Sequence, residues 1–230
     1  MKTTANLAAY IRDSNVIGPG LRDAIYLQGC SIRCPGCANS GMQEHSSRHI
    51  VPVSKLLRLL SGRRDSIDGI TLLGGEPTEQ AVASVAILEG AQKLGLSTVL
   101  FTGRLIEDLQ RQNDRYIDRM LHAADLLIDG PYREDERDPS LHWRGSCNQR
   151  LIYLTDRFRK GCDNAAQAQG EIIVCRNRII YHGVGTMAIL PCSGDRWHPS
   201  FYHTGREFPV PLQDARSLCL GCYQPGIISR

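Results

Sequence analysis

Apolar residues recur along the chain in two rhythms, short continuous runs and longer stretches spaced at three and four. Ala24 to Gln28 reads as a buried strand entering a loop dense in Cys, Gly and Pro. After Pro52, which suits a first helical turn, Val53, Leu56, Leu57, Leu59 and Leu60 predict a helix. Ile67 to Leu73 predicts a second strand, ending at Gly74 and Gly75. Glu79 to Leu94 predicts a helix, carried by Val82, Val85, Ala86 and Leu88 and stopped by Gly95. Thr98 to Phe101 then reads as a strand, Leu105 to Ala123 as mostly helix, and Leu126 to Asp129 as another strand.

Strands alternating with helices imply parallel strands joined by crossovers, with the site where loops gather at the strand ends. The expected fold is α/β, an open or partial (β/α) barrel. From Asn148 the texture changes. Leu151 to Leu154, Ile172 to Cys175 and Ile179 to His182 predict strands, the last two joined by a tight Arg176-Asn177 turn into a C-terminal β-hairpin that closes the sheet. From Met187 the tail is richer in Pro and aromatic residues, lacks helical periodicity and carries Cys192, Cys219 and Cys222. The chain therefore divides into a barrel domain over residues 1–186 and a Cys-containing extension over 187–230.

Lys and Arg number 27 against 24 Asp and Glu, a net charge of +3, and the basic residues are scattered. A phosphate-backbone binder normally carries a basic footprint, so no nucleic-acid partner is expected. Met1 to Asp13 has no apolar stretch suited to a signal peptide, and no run approaches the about 18 apolar residues of a spanning helix. No membrane partner is expected, and the reading places the protein in the cytoplasm.

Nine cysteines then change the picture. Cytosolic thiols stay reduced and an odd number cannot all pair, so metal or iron-sulfur ligation leads over a disulfide framework. Cys30, Cys34 and Cys37, in Cys-Ser-Ile-Arg-Cys-Pro-Gly-Cys, put three thiolates on one loop after a strand. A structural zinc site closes with four protein ligands, whereas a 4Fe-4S cube held by three keeps one iron open for chemistry. The competing reading is a zinc knuckle completed by His45, His49 or a distant cysteine.

The Cys-x3-Cys-x2-Cys loop resembles that of the radical S-adenosylmethionine enzymes, and more narrowly that of the activating enzymes of glycyl radical proteins, with the anaerobic ribonucleotide reductase activases nearest. The likeness rests on five segments in order. They are Gly18-Pro19-Gly20-Leu21-Arg22, the cysteine loop, Gly74-Gly75-Glu76-Pro77, Asp129-Gly130-Pro131-Tyr132 and Arg144-Gly145-Ser146-Cys147-Asn148-Gln149-Arg150. It covers about residues 15–185 and implies a partial barrel of the radical SAM type.

The resemblance implies a 4Fe-4S cluster on Cys30, Cys34 and Cys37, whose open iron chelates the methionine part of S-adenosylmethionine. Reductive cleavage then yields a 5′-deoxyadenosyl radical that abstracts a hydrogen atom. It assigns Gly74, Gly75, Glu76 and Pro77 to the methionine amino group, against a plain strand-ending turn with Glu76 solvated. Thr102 and Gly103 would meet the ribose or carboxylate, or serve as a strand-to-helix cap. Asp129 would bond the ligand or order the site, or form a turn before Gly-Pro. Trp143, Arg144, Asn148, Gln149 and Arg150 would shape the radical site or a docking surface, or anchor loops. No residue is singled out as a catalytic acid, base or nucleophile.

Two features depart from the pattern. Relatives commonly follow the third cysteine with His and Asn, whereas this chain has Ala38-Asn39. The tail adds Cys192, Cys219 and Cys222, a candidate second metal site completed by Cys147, Cys162 or Cys175, or else unpaired buried thiols. The leading functional reading is an activase storing a glycyl radical on a partner enzyme, with flavodoxin or ferredoxin as electron donor. The rivals are a radical enzyme acting on a small molecule or peptide with an auxiliary metal in the tail, and a noncatalytic zinc module.

Overall fold

Strands built on short continuous apolar runs belong in the middle of a sheet, where both faces are covered. The computed structural model of the chain, which describes residues 3–158, 170–175, 178–183 and 186–191, bears this out for four of them. In chain order the elements are β1 (Thr4–Ser14), β2 (Arg22–Leu27), β3 (His49–Pro52), α1 (Val53–Ser61), β4 (Gly69–Gly74), α2 (Ala81–Lys93) and β5 (Ser97–Phe101). There follow α3 (Ile106–Arg111), α4 (Arg115–His122), β6 (Leu126–Asp129), β7 (Arg150–Tyr153), β8 (Gly170–Cys175), β9 (Arg178–Gly183) and β10 (Thr186–Pro191).

Seven strands form one sheet in the order β3-β1-β2-β4-β5-β6-β7, which is not closed into a barrel. β2, β4, β5 and β6 are parallel, with Tyr26 beside Leu73, Leu72 beside Leu100, and Leu100 beside Leu127. β1 and β7 run antiparallel to β2 and β6 on either side. On one face Ile25, Leu27, Ile70, Leu72, Leu100 and Leu127 pack against Leu56 and Leu60 of α1, Ile87, Leu88 and Ala91 of α2, and Ile117 and Met120 of α4. The other face carries Ala24, Tyr26 and Leu73 in one cluster and Val99, Leu126, Ile128 and Trp143 in a second; Phe101 packs against both.

The end where the parallel strands begin is sealed by buried charge. Arg22, fully buried, donates to Thr71 Oγ1 (3.1 Å), Ile70 O (3.0 Å) and Ser97 O (3.0 Å), tying β2 to β4 and β5. Burial pushes its guanidinium down to about 9, with Asp125 and Asp68 pulling the other way, so it stays charged at neutral pH. Phe158 covers it, the guanidinium carbon lying 5.6 Å from the ring centroid. Nearby, Arg63 holds buried Asp23 through Nε (2.6 Å) and Nη2 (3.0 Å).

The expected helix over 105–123 is two helices. Asn113 takes a left-handed conformation (φ 51°), and Asp114 Oδ1 accepts from the N–H groups of Tyr116 (2.7 Å) and Ile117 (3.2 Å), starting α4 afresh. Asp114→Ala is therefore expected to cost about 1 kcal/mol, read as a lower urea midpoint of unchanged slope. β1 and β3, which the apolar pattern did not single out, extend the sheet beyond β2. β8 and β9 do form a hairpin, but it does not close the main sheet. Joined by β10, it makes a separate three-stranded antiparallel sheet in the order β10-β9-β8. No helix among the described residues is long and apolar enough to cross a membrane.

Candidate functional site

The loops that follow β2, β4, β5 and β6 gather at one end of the sheet, as parallel strands with crossovers require. Past Leu27 the backbone continues to Gly29, whose φ of 100° aims it into the cysteine loop. That loop is pinned at its root by Gly29 N to Met42 O (2.8 Å) and Cys30 N to Gln43 O (3.0 Å). Between these, Cys37 N donates to Cys34 O (3.3 Å) and Ser40 N to Cys37 O (3.2 Å), coiling the segment back on itself.

Cys30, Cys34 and Cys37 are free and half-buried. Burial pushes the Cys30 and Cys37 thiols up. The N–H groups of Ile32 and Arg33 at Cys30, and of Asn39 at Cys37, work the other way, as does the Gln43 side chain at Cys37. Sulfurs that accept backbone N–H bonds suit thiolate ligands of an iron-sulfur cluster, whose charge such bonds stabilise. A second mark of fit is Gln28, 3% exposed beside the loop: its Nε2 donates to Glu44 O (2.5 Å) while its Oε1 has no partner among the described residues. Among the described residues no three His, Cys, Asp or Glu side chains already converge as a metal site, so holding a cluster requires the thiols to turn toward one another.

The segment after β4 lies against the root of the cysteine loop. Gly75 N donates to Leu27 O (2.7 Å) and Glu76 N to Gly29 O (2.8 Å). The glycines are needed for this: a Cβ on Gly75 would stand 2.1 Å from Gly29 O, and one on Gly74 would stand 2.6 Å from Leu27 N. What their bare backbones approach here is the protein's own main chain.

Glu76 is not solvated. It is 1% exposed, and its Oε1 accepts from Thr78 N (3.0 Å), Thr78 Oγ1 (2.7 Å) and Thr102 Oγ1 (2.8 Å), its Oε2 from Gly103 N (2.9 Å). Burial raises its carboxyl, and these four donors pull against that. Glu76 thus brings Thr102 and Gly103 beside residues 74–77. Ile32 closes the triangle: a Cβ on Gly103 would meet its Cδ1 at 2.7 Å, so the cysteine loop rests on the loop after β5.

Asp129 adjoins this cluster through main chain, Thr102 N donating to Ile128 O (2.9 Å) and Gly130 N to Arg104 O (3.2 Å), but its side chain bonds elsewhere. Fully buried, it accepts from Ile106 N (2.9 Å) at the start of α3 and from Arg150 Nε (2.9 Å), and Arg150 forks onto Glu107 as well (2.9 and 2.8 Å). Asn148 Nδ2 donates to Pro131 O (2.7 Å) and Gln149 Nε2 to Gly130 O (3.1 Å), so these side chains anchor loops. Trp143 is buried against β5 and β6. Beyond Asp129 the chain returns to the cysteine loop: Pro35, Tyr132, Arg133, Glu134 and Asp135 line an open cleft of about 660 Å³. Cys192, Cys219, Cys222 and Cys162 lie outside the described residues.

Three site residues escaped the sequence reading. Glu79 contacts Ser31, His45 and Arg104. Gln80 bonds both N (2.9 Å) and O (3.0 Å) of Asn6 and the carbonyl of Gln28 (2.9 Å). Arg104 donates to Thr78 Oγ1 (3.2 Å). No local motif marks them, because each acts on segments at least 25 residues away. His45, a candidate fourth zinc ligand, has its Nε2 2.8 Å from Glu79 Oε2.

Residues 16–152 match the model of the 4Fe-4S single cluster domain family. Among curated proteins, the anaerobic ribonucleoside-triphosphate reductase-activating protein of Vibrio cholerae serotype O1 is 32% identical over 148 residues, covering 61% of this chain and 92% of the relative. Its counterpart in Escherichia coli K12 is 32% identical over 150 residues, 60% and 92%. That of Enterobacteria phage T4 is 31% identical over 146 residues, 61% and 89%. The matched segment holds the cysteine loop and every site residue described above except Asn6, and stops short of β8.

Proposed function

Because the chain belongs to the 4Fe-4S single cluster domain family, and resembles nearly the full length of proteins named as activators of anaerobic ribonucleoside-triphosphate reductase, we propose that it is a radical S-adenosylmethionine activase. Its substrate is then a protein, the reductase, on which it installs a glycyl radical. The observation that carries this reading is a single loop of three half-buried thiols whose root is hydrogen-bonded to the glycine segment after β4. The four parallel strands, with the cysteine loop, residues 74–77, Thr102 and Gly103 gathered at the ends of β2, β4 and β5, support a partial barrel of the radical SAM type.

When bound, a 4Fe-4S cluster with S-adenosylmethionine supplies one-electron cleavage of the sulfonium and hydrogen-atom abstraction from a backbone glycine. In this reading Cys30, Cys34 and Cys37 would hold the cluster by three of its irons, leaving the fourth for S-adenosylmethionine. Residues 74–77 lie against the root of the loop that would hold the cluster, and Gln28, buried beside that root, would offer an acceptor to the bound group. Glu76 holds Thr102 and Gly103 in place as the adjoining wall, so its part is positional. Asp129 fixes Arg150 and the start of α3, which supports a part in ordering the site. The open cleft at Pro35 suits a loop of a protein substrate better than a small molecule, which enclosed pockets hold. A flavodoxin or ferredoxin supplies the electron.

The test is to mix the anaerobically reconstituted, reduced protein with S-adenosylmethionine and an anaerobic ribonucleoside-triphosphate reductase. The expected result is a glycyl radical doublet in the electron paramagnetic resonance spectrum, absent when S-adenosylmethionine is omitted. Cleavage of S-adenosylmethionine with no radical on the reductase would overturn the protein-substrate assignment.

A further inference from the structure

Glu79 sits in the 3-10 turn Pro77–Gln80, beyond the segment that the family resemblance emphasises. Its carboxylate gathers donors from three separate parts of the chain. Ser31 N donates to Oε1 (2.9 Å) and Oε2 (3.2 Å), and the Ser31 hydroxyl to Oε2 (3.3 Å). His45 Nε2 lies 2.8 Å from Oε2, and Arg104 Nη2 donates to Oε1 at 3.4 Å.

Ser31 directly follows Cys30, so a carboxylate that fixes its amide and hydroxyl also fixes where the first cysteine of the loop begins. The side chain is only 17% exposed. Burial acts against its charge, yet the bonds from His45 and Ser31 outweigh it and hold the carboxyl below the usual range, so it is ionised at neutral pH. Glu76 already spends its carboxylate on the loops after β4 and β5, whereas Glu79 faces the cysteine loop itself.

Resting on the function proposed above, we propose that Glu79 is a positioning residue that fixes the Cys30 end of the cluster loop and sets, through its negative charge, the reduction potential of the cluster held there. A negative charge close to a cluster disfavours the added electron, and a nearby cation favours it. Glu79 and Arg104 are such a pair, the carboxylate against the loop and the guanidinium 3.4 Å from that carboxylate.

Glu79→Gln keeps an acceptor for the Ser31 amide but removes the charge. Its cluster is expected to be reduced at higher potential, by about tenfold in the reduction equilibrium, or ~59 mV for a one-electron couple. Arg104→Gln is expected to move the potential the opposite way. A merely structural role does not produce shifts of opposite sign at matched iron content.

The experiment is a potentiometric titration of the reconstituted full chain and both variants, followed by the resonance signal of the reduced cluster. A rise for Glu79→Gln with a fall for Arg104→Gln supports the proposal. Unchanged potentials, or shifts in the same direction, overturn it while leaving the function standing. If Glu79→Gln takes up no cluster, the Arg104→Gln arm decides: a fall supports the proposal and no shift overturns it. A wild-type chain that takes up no 4Fe-4S cluster overturns the proposed function and this inference with it.

Discussion

Cys34→Ala is expected to give a folded protein that forms no 5′-deoxyadenosine above background from S-adenosylmethionine under reducing, anaerobic conditions. Cys34 lies in the middle of the loop, half-buried, and its side chain packs into neither face of the sheet. Its removal therefore costs little stability. It does take away one of the loop's three thiols, and among the described residues the nearest substitutes are taken: His45 is engaged by Glu79, and Cys147 lies against Asp138. The check is iron and sulfide content beside product formation, with far-UV circular dichroism to show that the fold survives. Undiminished product from Cys34→Ala would overturn the assignment of the loop.

Gly75→Ala is expected to be nearly as damaging by a different route, lowering the stability of the cluster-free protein by about 3 kcal/mol or more. A methyl at this position would meet Gly29 O at 2.1 Å, Gly29 C at 2.8 Å and Gly29 N at 2.9 Å. All three are backbone atoms, so no rotamer change relieves the clash. The loop after β4 must instead move away from the root of the cysteine loop, giving up the bonds to Leu27 O and Gly29 O. Gly90→Ala in α2 is the contrast: there the three atoms nearest the added methyl all belong to the Leu57 side chain, which can turn aside. Urea denaturation compares the two, and a loss below about 1 kcal/mol for Gly75→Ala would refute the close-contact argument.

What the sequence disclosed follows from how completely each residue is buried. β2 and β6, buried at every position, stand out through the apolar runs Ala24 to Leu27 and Leu126 to Ile128. β1 hides because it mixes buried Ala5, Leu7 and Ile11 with half-covered polar residues and slips register twice along β2. β3 has four residues, and Ile50 is exposed, so no period forms. The break between α3 and α4 comes from one left-handed asparagine and one capping aspartate, chemistry that apolar spacing does not encode. At the site, the cysteine loop was legible because its ligands are neighbours in the chain. The clamp around Glu79 was not, because its partners come from 48, 34 and 25 residues away and meet only after the sheet has formed.

The antiparallel direction of β7 has an evolutionary consequence. β7 begins level with Asp129, on the side of the cysteine loop, and finishes level with Leu126 at the opposite end of the sheet. From there Leu154 N bonds Asp125 O, and Phe158 covers Arg22. The family match stops inside this same strand, at residue 152. A lineage that lengthens its chain after β7 thus adds new sequence from the sealed end, and selection can vary such an addition without first redesigning the loops that carry the chemistry.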